Sequence, residues 1–276
     1  MESARERTNR EGVPYWVHAC DPSAVPPSVS EVVSKSALSI ATDEVRDQAY
    51  RAILDALGLS PAHRELLRAR GLSEREIEQG QYCTLEVRGR AALARRAADA
   101  VGKFAVAGVP GIVWEARTER GWWTLKGAAG LVIPSRNVRG QIVALKVRSE
   151  SPEGSRYTSV SSRSAGGPAS ACNVHFPRQT SARFASKRVL WITEGELKAD
   201  AAAALSDWAI VGLPGVSMWR GAVALAHELG ARRVVVALDA DWKTKPEVQT
   251  ARTDLVRALE RSGLSVHAVD WPIALG

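Results

Sequence analysis

The sequence predicts an α/β protein with a C-terminal parallel sheet flanked by helices, preceded by a mixed α+β part that begins with helices. Three observations support this class. Apolar runs alternate with helical patterns throughout the last 90 residues. The apolar runs between residues 111 and 147 are short, closely spaced and separated by turn residues, which is typical of strands. Residues 42–101 instead repeat apolar positions with the helical period.

The same patterns divide the chain into three predicted parts. Residues 1–41 are polar and then rich in Pro and Ser, so we expect them to be mostly irregular. Residues 42–186 form the mixed α+β domain, and residues 187–276 form the domain of the parallel sheet. A chain of 276 residues with 45% hydrophobic content is long enough for two modest domains.

Four helices are predicted at the start of the mixed domain. The first shows apolar residues at helical spacing and a glycine that ends it: Val45, Ala49, Ile53, Leu57 and Gly58. The second begins at Ser60-Pro61, because serine caps a helix and proline suits its first turn. Ser73 and Glu76 form a capping box for the third. The fourth covers residues 91–101.

Strands follow in the rest of the mixed domain. We expect them at residues 112–114, 122–125, 131–134 and 142–147, where short apolar runs are separated by turn residues. Residues 149–170 are rich in Ser and Gly and too long for a hairpin connection, which favours a binding loop.

The C-terminal domain alternates strictly between strand and helix. We predict strands at 188–193, 208–211, 232–238 and 264–269, and helices at 196–205, 218–229 and 247–262. Such alternation indicates a parallel sheet with right-handed crossovers. The carboxyl ends of its strands then share one edge, where open α/β sheets bind ligands.

Three acidic residues follow two of these strands. Glu194 directly follows the run Val189–Thr193, and Asp239 and Asp241 follow the run Val234–Leu238. Carboxylates gathered at one edge repel each other, and a hard divalent cation removes that repulsion. The pattern predicts a Mg²⁺ or Mn²⁺ site, whose commonest chemistry is on phosphates. The alternative is a set of solvated acids at strand ends.

The positive charge of the chain is concentrated upstream of these acids. The net charge is +7, and residues 121–190 hold eleven Lys and Arg against two Glu. A basic region of this kind favours a polyanionic partner, although a solvated basic face is the alternative. The candidate contacts to nucleic acid or nucleotide are Arg136, Lys146, Arg148, Arg156, Tyr157 and Arg163.

Cysteine usage and hydropathy suggest the compartment. The three cysteines, Cys20, Cys83 and Cys172, lie far apart, which favours a reducing environment over a disulfide framework or a zinc ribbon. No apolar run reaches about 18 residues, the length of a membrane span. We therefore expect a cytoplasmic protein without a membrane partner.

Two segments of the chain resemble known proteins. Thr193-Glu194-Gly195-Glu196 followed by Asp239-Ala240-Asp241 resembles the toprim domain shared by bacterial primases and topoisomerases. Residues 130–159 are similar to the segment that precedes toprim in bacterial primases, and residues 63–77 to a short helical element further upstream. This order resembles a toprim-containing family of uncharacterised domains in replication proteins of phages and plasmids.

The resemblance implies a primase-like nucleotidyltransferase that acts on single-stranded DNA and nucleoside triphosphates in mobile-element replication. Glu194, Asp239 and Asp241 would then be both catalytic residues and ligands of Mg²⁺ or Mn²⁺, and a replicative helicase could act in trans. Primases commonly place an aspartate four residues after the glutamate; Lys198 stands there, as in topoisomerase-like toprim variants, and is a candidate nucleotide contact. Gly195 would let a phosphate approach the helix start.

Two other functions remain open at this point. The first is a toprim module that binds metal and nucleic acid within a replication complex but is catalytically weak alone. The second is a toprim nuclease, which the basic, Ser- and Gly-rich region upstream of the acids favours less than polymerisation or binding.

Overall fold

The computed structural model describes residues 39–117, 120–151, 154–171 and 173–271, together with the backbone of two short strands near the N-terminus. These strands, β1 (Arg5–Thr8) and β2 (Pro14–Val17), pair antiparallel. The sequence analysis expected residues 1–41 to be mostly irregular and did not predict this pairing. Most other residues of that segment lie outside the described part of the chain.

Helices open the mixed region as the sequence predicts. They are α1 (Asp43–Leu54), α2 (Pro61–Arg68), α3 (Glu74–Gly80) and α4 (Arg90–Val101). The Ser60 side chain accepts a hydrogen bond from the backbone N–H of His63, and the Ser73–Glu76 capping box is formed. These caps satisfy backbone donors that the first helical turn leaves open.

The strands of the mixed region form two separate sheets. One is antiparallel, with the order β3 (Cys83–Leu85), β6 (Gly130–Arg136), β7 (Ile142–Ser149) and β8 (Tyr157–Ser159). The other is a hairpin of β4 (Ile112–Arg117) and β5 (Arg120–Leu125). Strands β3 and β8 were not predicted, because three residues are too few to show an alternating pattern. Helices α1 and α4 pack in one apolar core with residues of β6 and β7.

The C-terminal part contains the predicted parallel sheet. Its strand order is β10 (Ile210–Leu213), β9 (Val189–Glu194), β11 (Arg233–Val236) and β12 (Ser265–Ala268), and all neighbouring pairs are parallel. Its helices are α6 (Glu196–Leu205), α7 (Arg220–Glu228) and α8 (Pro246–Arg261). Helix α5 (Thr180–Lys187), which precedes the sheet, was not predicted.

The two faces of this sheet are covered differently. Leu190 and Ile192 of β9 are fully buried and belong to one core with residues of α7 and α8. Side chains alternate between the faces of a strand, so Trp191 and Thr193 project from the other face. Helix α6 lies against β9 and β10 on that side. None of the helices in the described part of the chain combines the length and apolar character that a membrane crossing requires.

A third apolar cluster joins the parallel sheet to the mixed region. Leu67 and Ile77, from helices α2 and α3, pack with Ile133 of β6 and Leu197 of α6. Each of these side chains is at most 3% exposed. The joint therefore fixes helix α6, which begins two residues after Glu194, against the antiparallel sheet.

Buried polar groups also cross this joint. His175 Nε2 lies 3.0 Å from Asp200 Oδ1, and the Tyr82 hydroxyl donates to Asp200 Oδ2 at 2.6 Å. Burial raises the pKa of the Asp200 carboxyl, but interactions with His175, Tyr82 and Arg136 outweigh it and hold that pKa below its usual value. Burial and the neighbouring Asp200 raise the pKa of Tyr82 well above its usual range.

Candidate active site

Glu194 and Asp239 meet at the carboxyl edge of the parallel sheet. Strands β9 and β11 pair in parallel with Ile192 opposite Val236, so both strands end at the same edge. Glu194 is the last residue of β9, and Asp239 follows β11 by three residues. Both line a cleft of about 240 Å³. The parallel register thus gathers two of the three predicted carboxylates.

The third predicted ligand, Asp241, is described only in its backbone. It lies in a short 3₁₀ helix, Ala240–Thr244, directly after Asp239, and its side chain falls outside the described part of the structure. Within that part, no three His, Cys, Asp or Glu side chains come close enough to hold a metal ion. The shared site of Glu194, Asp239 and Asp241 therefore stays a prediction.

Lys198 supplies a positive charge at this edge. It lies in the first turns of α6, and its ammonium group forms an ion pair with Asp239 Oδ2. The two side chains are 45% and 31% exposed. The sequence analysis considered only repulsion among the acids and a cation from solution. In the structure, Lys198 already compensates part of the negative charge.

A second ion pair borders the cleft in a more buried position. Lys146 of β7 lies with its Nζ 2.6 Å from Glu196 Oε2 and donates to the Pro214 carbonyl oxygen at 2.8 Å. The side chains of Lys146 and Glu196 are only 11% and 4% exposed. Loss of either partner would leave a charge in a poorly solvated place, which is strongly unfavourable. Lys146 thus connects the antiparallel sheet to the start of α6.

Gly195 makes the turn between Glu194 and helix α6. Its φ is +82°, a left-handed conformation that glycine adopts without a steric penalty. Its backbone N–H donates to the Leu213 carbonyl oxygen at 2.8 Å. The sequence analysis expected Gly195 to let a phosphate approach N–H groups at the helix start. The Gly195 N–H is committed to β10, so any phosphate contact must come from later N–H groups of α6.

Arg136 does not belong to an exposed basic surface, contrary to the sequence analysis. Only 2% of the residue is exposed. Its Nη2 donates to the Gly80 carbonyl oxygen at 2.8 Å and to Gln81 Oε1 at 3.2 Å. The side chain reaches inward because β6 is a central strand whose residues are all buried. Arg136 thus ties β6 to the end of α3.

The other candidate contacts lie around the cleft or outside it. Tyr157 lines the cleft together with Lys146 and Lys198. Arg148 is half-buried on β7, in register with Tyr157 of β8. Arg156 and Arg163 are exposed and lie beyond the residues that line the cleft. Three of the seven candidate contacts therefore line the cleft together with Glu194 and Asp239.

The sequence analysis did not select three of the residues that line the cleft, Glu196, Leu197 and Pro214. Acids commonly stabilise a helix N-terminus, and the sequence leaves this role and an indirect contact to the metal equally open for Glu196. Pro214 directly follows β10, and Leu197 is an apolar residue of α6. The sequence signal for Glu196 was its place in the Glu-Gly-Glu motif, but its partner Lys146 lies 50 positions earlier, and no local pattern indicates that pairing.

A family model matches a smaller part of the chain than the similar solved structures do. Residues 184–276, about the last third of the chain, match a family described as a domain of unknown function, DUF3854. A comparison with curated proteins gave no match. The family match begins near the start of the parallel-sheet region and does not include the antiparallel sheet.

Solved structures match much more of the chain. The zinc-binding and RNA polymerase domains of the Aquifex aeolicus primase are 14% identical, with a TM-score of 0.63, over 92% of this chain and 58% of that one. The fold is similar to primase catalytic cores. The RNA polymerase domain of Mycobacterium tuberculosis primase in complex with double-stranded DNA is 12% identical, with a TM-score of 0.64, over 83% of this chain and 73% of that one. The present chain thus spans less than two thirds of the Aquifex chain.

A third structure, a DnaG primase catalytic domain bound to single-stranded DNA, is 15% identical. Its TM-score is 0.57, and the match covers 84% of this chain and 73% of that one. Because the match extends well beyond the region that DUF3854 covers, the antiparallel sheet and the parallel sheet are both part of the shared fold.

Proposed function

We propose that the chain is a primase-like nucleotidyltransferase with a toprim-like C-terminal domain. It would join nucleotides on a single-stranded DNA template, in the replication of a mobile element and with a helicase in trans. The observation that carries this proposal is the cleft that Glu194 and Asp239 line together with Lys146, Tyr157 and Lys198. The primase-like fold supports it, as do the structural neighbours that are primase domains in complex with DNA.

The donor set fits a hard divalent cation. Glu194 and Asp239 offer only carboxylate oxygens, which Mg²⁺ and Mn²⁺ prefer. We propose that Asp241, two residues after Asp239, completes the set. When bound, the ion would orient a triphosphate and stabilise the charge that develops during phosphoryl transfer.

The protein's own residues would divide the remaining work. Glu194, at the end of β9, would accept the proton of the attacking 3′-hydroxyl. Lys198 and Lys146 supply positive charge beside the place where phosphates would lie. Arg156 and Arg163, which are exposed outside the cleft, would hold the phosphates of the template strand.

One observation favours a second candidate, a module that binds nucleic acid without efficient catalysis. The Lys198 ammonium group contacts the Asp239 carboxylate, and a metal ion would have to compete with it for that oxygen. A module of this kind would bind single-stranded DNA equally well with and without divalent metal.

An extension assay on single-stranded DNA distinguishes the two functions. The full chain is incubated with labelled nucleoside triphosphates and Mg²⁺ or Mn²⁺, beside Glu194→Gln and the control Asp99→Asn, which changes an exposed acid on α4. We expect the parent and the control to incorporate nucleotides and Glu194→Gln to be slower by about two orders of magnitude or more. Tight DNA binding by the parent without incorporation under either metal would refute the enzyme and leave the module.

A further inference from the structure

A second, larger cavity lies beside the cleft. Its volume is about 560 Å³, within the usual range for small-molecule sites. It opens on the face of the parallel sheet that α6 covers only in part, and it shares Lys198 and Asp239 with the cleft. Glu194 lines the cleft and is not among the residues that line this cavity.

Tryptophans form one wall of this cavity. The rings of Trp191 and Trp208 stack with centroids 3.9 Å apart and planes 3° apart, and Trp271 is a third lining residue. Trp208 is 39% exposed. Trp191 is only half-buried, since α6 leaves part of this sheet face open.

The other residues that line the cavity form one apolar group and one polar group. Small and aliphatic residues from α6, β10 and the segment after β11 surround the tryptophans: Ala202, Ile210, Ala237, Leu238 and Ala240. Thr193, Lys198 and Asp239 supply the polar side. An occupant that fits both parts has a planar apolar body and a charged or hydrogen-bonding end.

We infer that this cavity binds a nucleobase, with the base stacked on the Trp191–Trp208 pair and its phosphate toward Lys198. Stacking on exposed aromatic rings is the usual way in which proteins hold unpaired bases, and it tolerates every base because each has a π-face. An apolar peptide segment would not need stacked planar rings or the adjacent cation. The base comes either from a free nucleotide or from an unpaired position of a DNA strand.

Base binding in this cavity does not depend on the proposed catalysis, although the cavity shares Lys198 and Asp239 with the cleft. Base stacking requires neither a divalent ion nor the Glu194 carboxylate, so the chain would bind a nucleobase even if it incorporates no nucleotides. Failure of the extension assay and failure of this inference are therefore distinguishable.

Indole NMR on the full chain tests where a base binds. The protein has nine tryptophans, and ¹⁵N labelling reports each indole N–H separately. Adenosine 5′-monophosphate, a short oligo-dA and inorganic phosphate are titrated without divalent metal, and the signals are assigned with single Trp→Phe variants. We expect both adenine ligands, or one of them, to shift the signals of Trp191, Trp208 and Trp271. Trp122, which is 37% exposed on β5, serves as the internal control.

Affinity measurements on variants complete the test. Trp208→Ala should weaken binding of the adenine ligand about tenfold. Two controls should bind the ligand as the parent does: Trp208→Phe, which keeps an aromatic ring, and Trp122→Ala, which changes another exposed tryptophan. Binding of the mononucleotide alone would identify a free nucleotide as the occupant, and binding of oligo-dA would identify a strand base. The inference is overturned if neither adenine ligand shifts the three signals, or if Trp208→Ala binds as tightly as the parent.

Discussion

Lys198 and Asp239 share one ion pair, and this pair sets the electrostatics of the acidic edge. Both side chains are partly exposed, so the pair itself contributes at most about 1 kcal/mol to folding. Its main consequence concerns cations from solution. A divalent ion at Asp239 has to displace the ammonium group, which lowers its apparent affinity.

The first prediction follows from this competition. Lys198→Met removes the ammonium group and keeps a chain of similar length, so we expect Mn²⁺ to bind several times more tightly while the free energy of unfolding changes by less than about 1 kcal/mol. Titration calorimetry and urea unfolding measure the two quantities. Unchanged or weaker Mn²⁺ binding in Lys198→Met would show that Lys198 does not compete for the site.

At the scale of single residues, the sequence predicted the meeting of Glu194 and Asp239 but not the burial of Arg136. The meeting follows from local patterns, because two parallel strands must end at the same edge. The burial depends on β6 lying between β3 and β7, which is a property of the whole sheet. The ion pair of Lys146 could not be predicted either, because its acidic partner Glu196 lies in another part of the chain.

Helix α6 is the element that connects the cleft with the rest of the molecule. Lys198 faces the acidic edge, Leu197 packs into the apolar joint, and Asp200 binds His175 and Tyr82. Three functions thus fall on one short helix. A change at the joint can move the start of this helix and hence the cleft.

A prediction on pH follows from Asp200. Its pKa is lower in the folded protein than in the unfolded chain, so its contribution to stability is present above its ordinary pKa and is lost as pH falls through the folded value. Asp200→Asn should lower the free energy of unfolding by about 1–3 kcal/mol at pH 7. That loss should shrink below about pH 4, where the unfolded parent is itself protonated.

Urea unfolding at pH 7 and at pH 3 measures how the effect of Asp200→Asn on the free energy of unfolding depends on pH. Asp99→Asn is the matched control on α4. The control should leave both values close to those of the parent, because Asp99 is exposed. An Asp200→Asn effect that is equal at both pH values, or larger at pH 3, would contradict the account of the Asp200 pKa.

Elements with strong local signals were predicted, and those that depend on pairing were not. Helices α1 to α4 follow from apolar spacing and caps, and the four parallel strands follow from apolar runs. Strands β3 and β8 have three residues each and exist only because β6 and β7 offer hydrogen-bonding partners. Helix α5 escaped prediction because Thr180–Lys187 is polar and packs mainly through Phe184.

At the scale of the whole molecule, Arg156 and Arg163 are exposed on either side of β8 in the sequence, beyond the residues that line the cleft. The prediction is that Arg156→Ala with Arg163→Ala weakens single-stranded DNA binding at all sequences and makes its salt dependence shallower. Loss of two phosphate contacts should reduce the log–log slope by about 1.4. Fluorescence anisotropy at several salt concentrations measures this slope.

The matched control for that experiment is Arg95→Ala with Arg96→Ala, which removes two exposed arginines from α4 and the same net charge. A control with the same loss of slope would mean that net charge alone, and not the surface around Arg156, governs DNA binding. An unchanged slope in the Arg156 and Arg163 variant would remove both residues from the binding surface.

The joint between the two main sheets could not have been predicted from the sequence. Tyr82 and Asp200 are 118 positions apart, and each appears in a segment with an adequate local explanation. The division into residues 1–41, 42–186 and 187–276 stays a prediction. Apolar contacts and buried polar groups of the joint cross the predicted boundary near residue 186.

The proposed nucleotidyltransferase requires the cation site at Glu194, Asp239 and Asp241, so this site is the central claim. Mn²⁺ titration followed by electron paramagnetic resonance tests it most directly, because bound and free Mn²⁺ give different spectra. We expect the parent and Asp99→Asn to bind Mn²⁺ and the double variant Asp239→Asn, Asp241→Asn to lose that binding. Equal Mn²⁺ binding by the parent and the double variant, or none by the parent, would contradict the account.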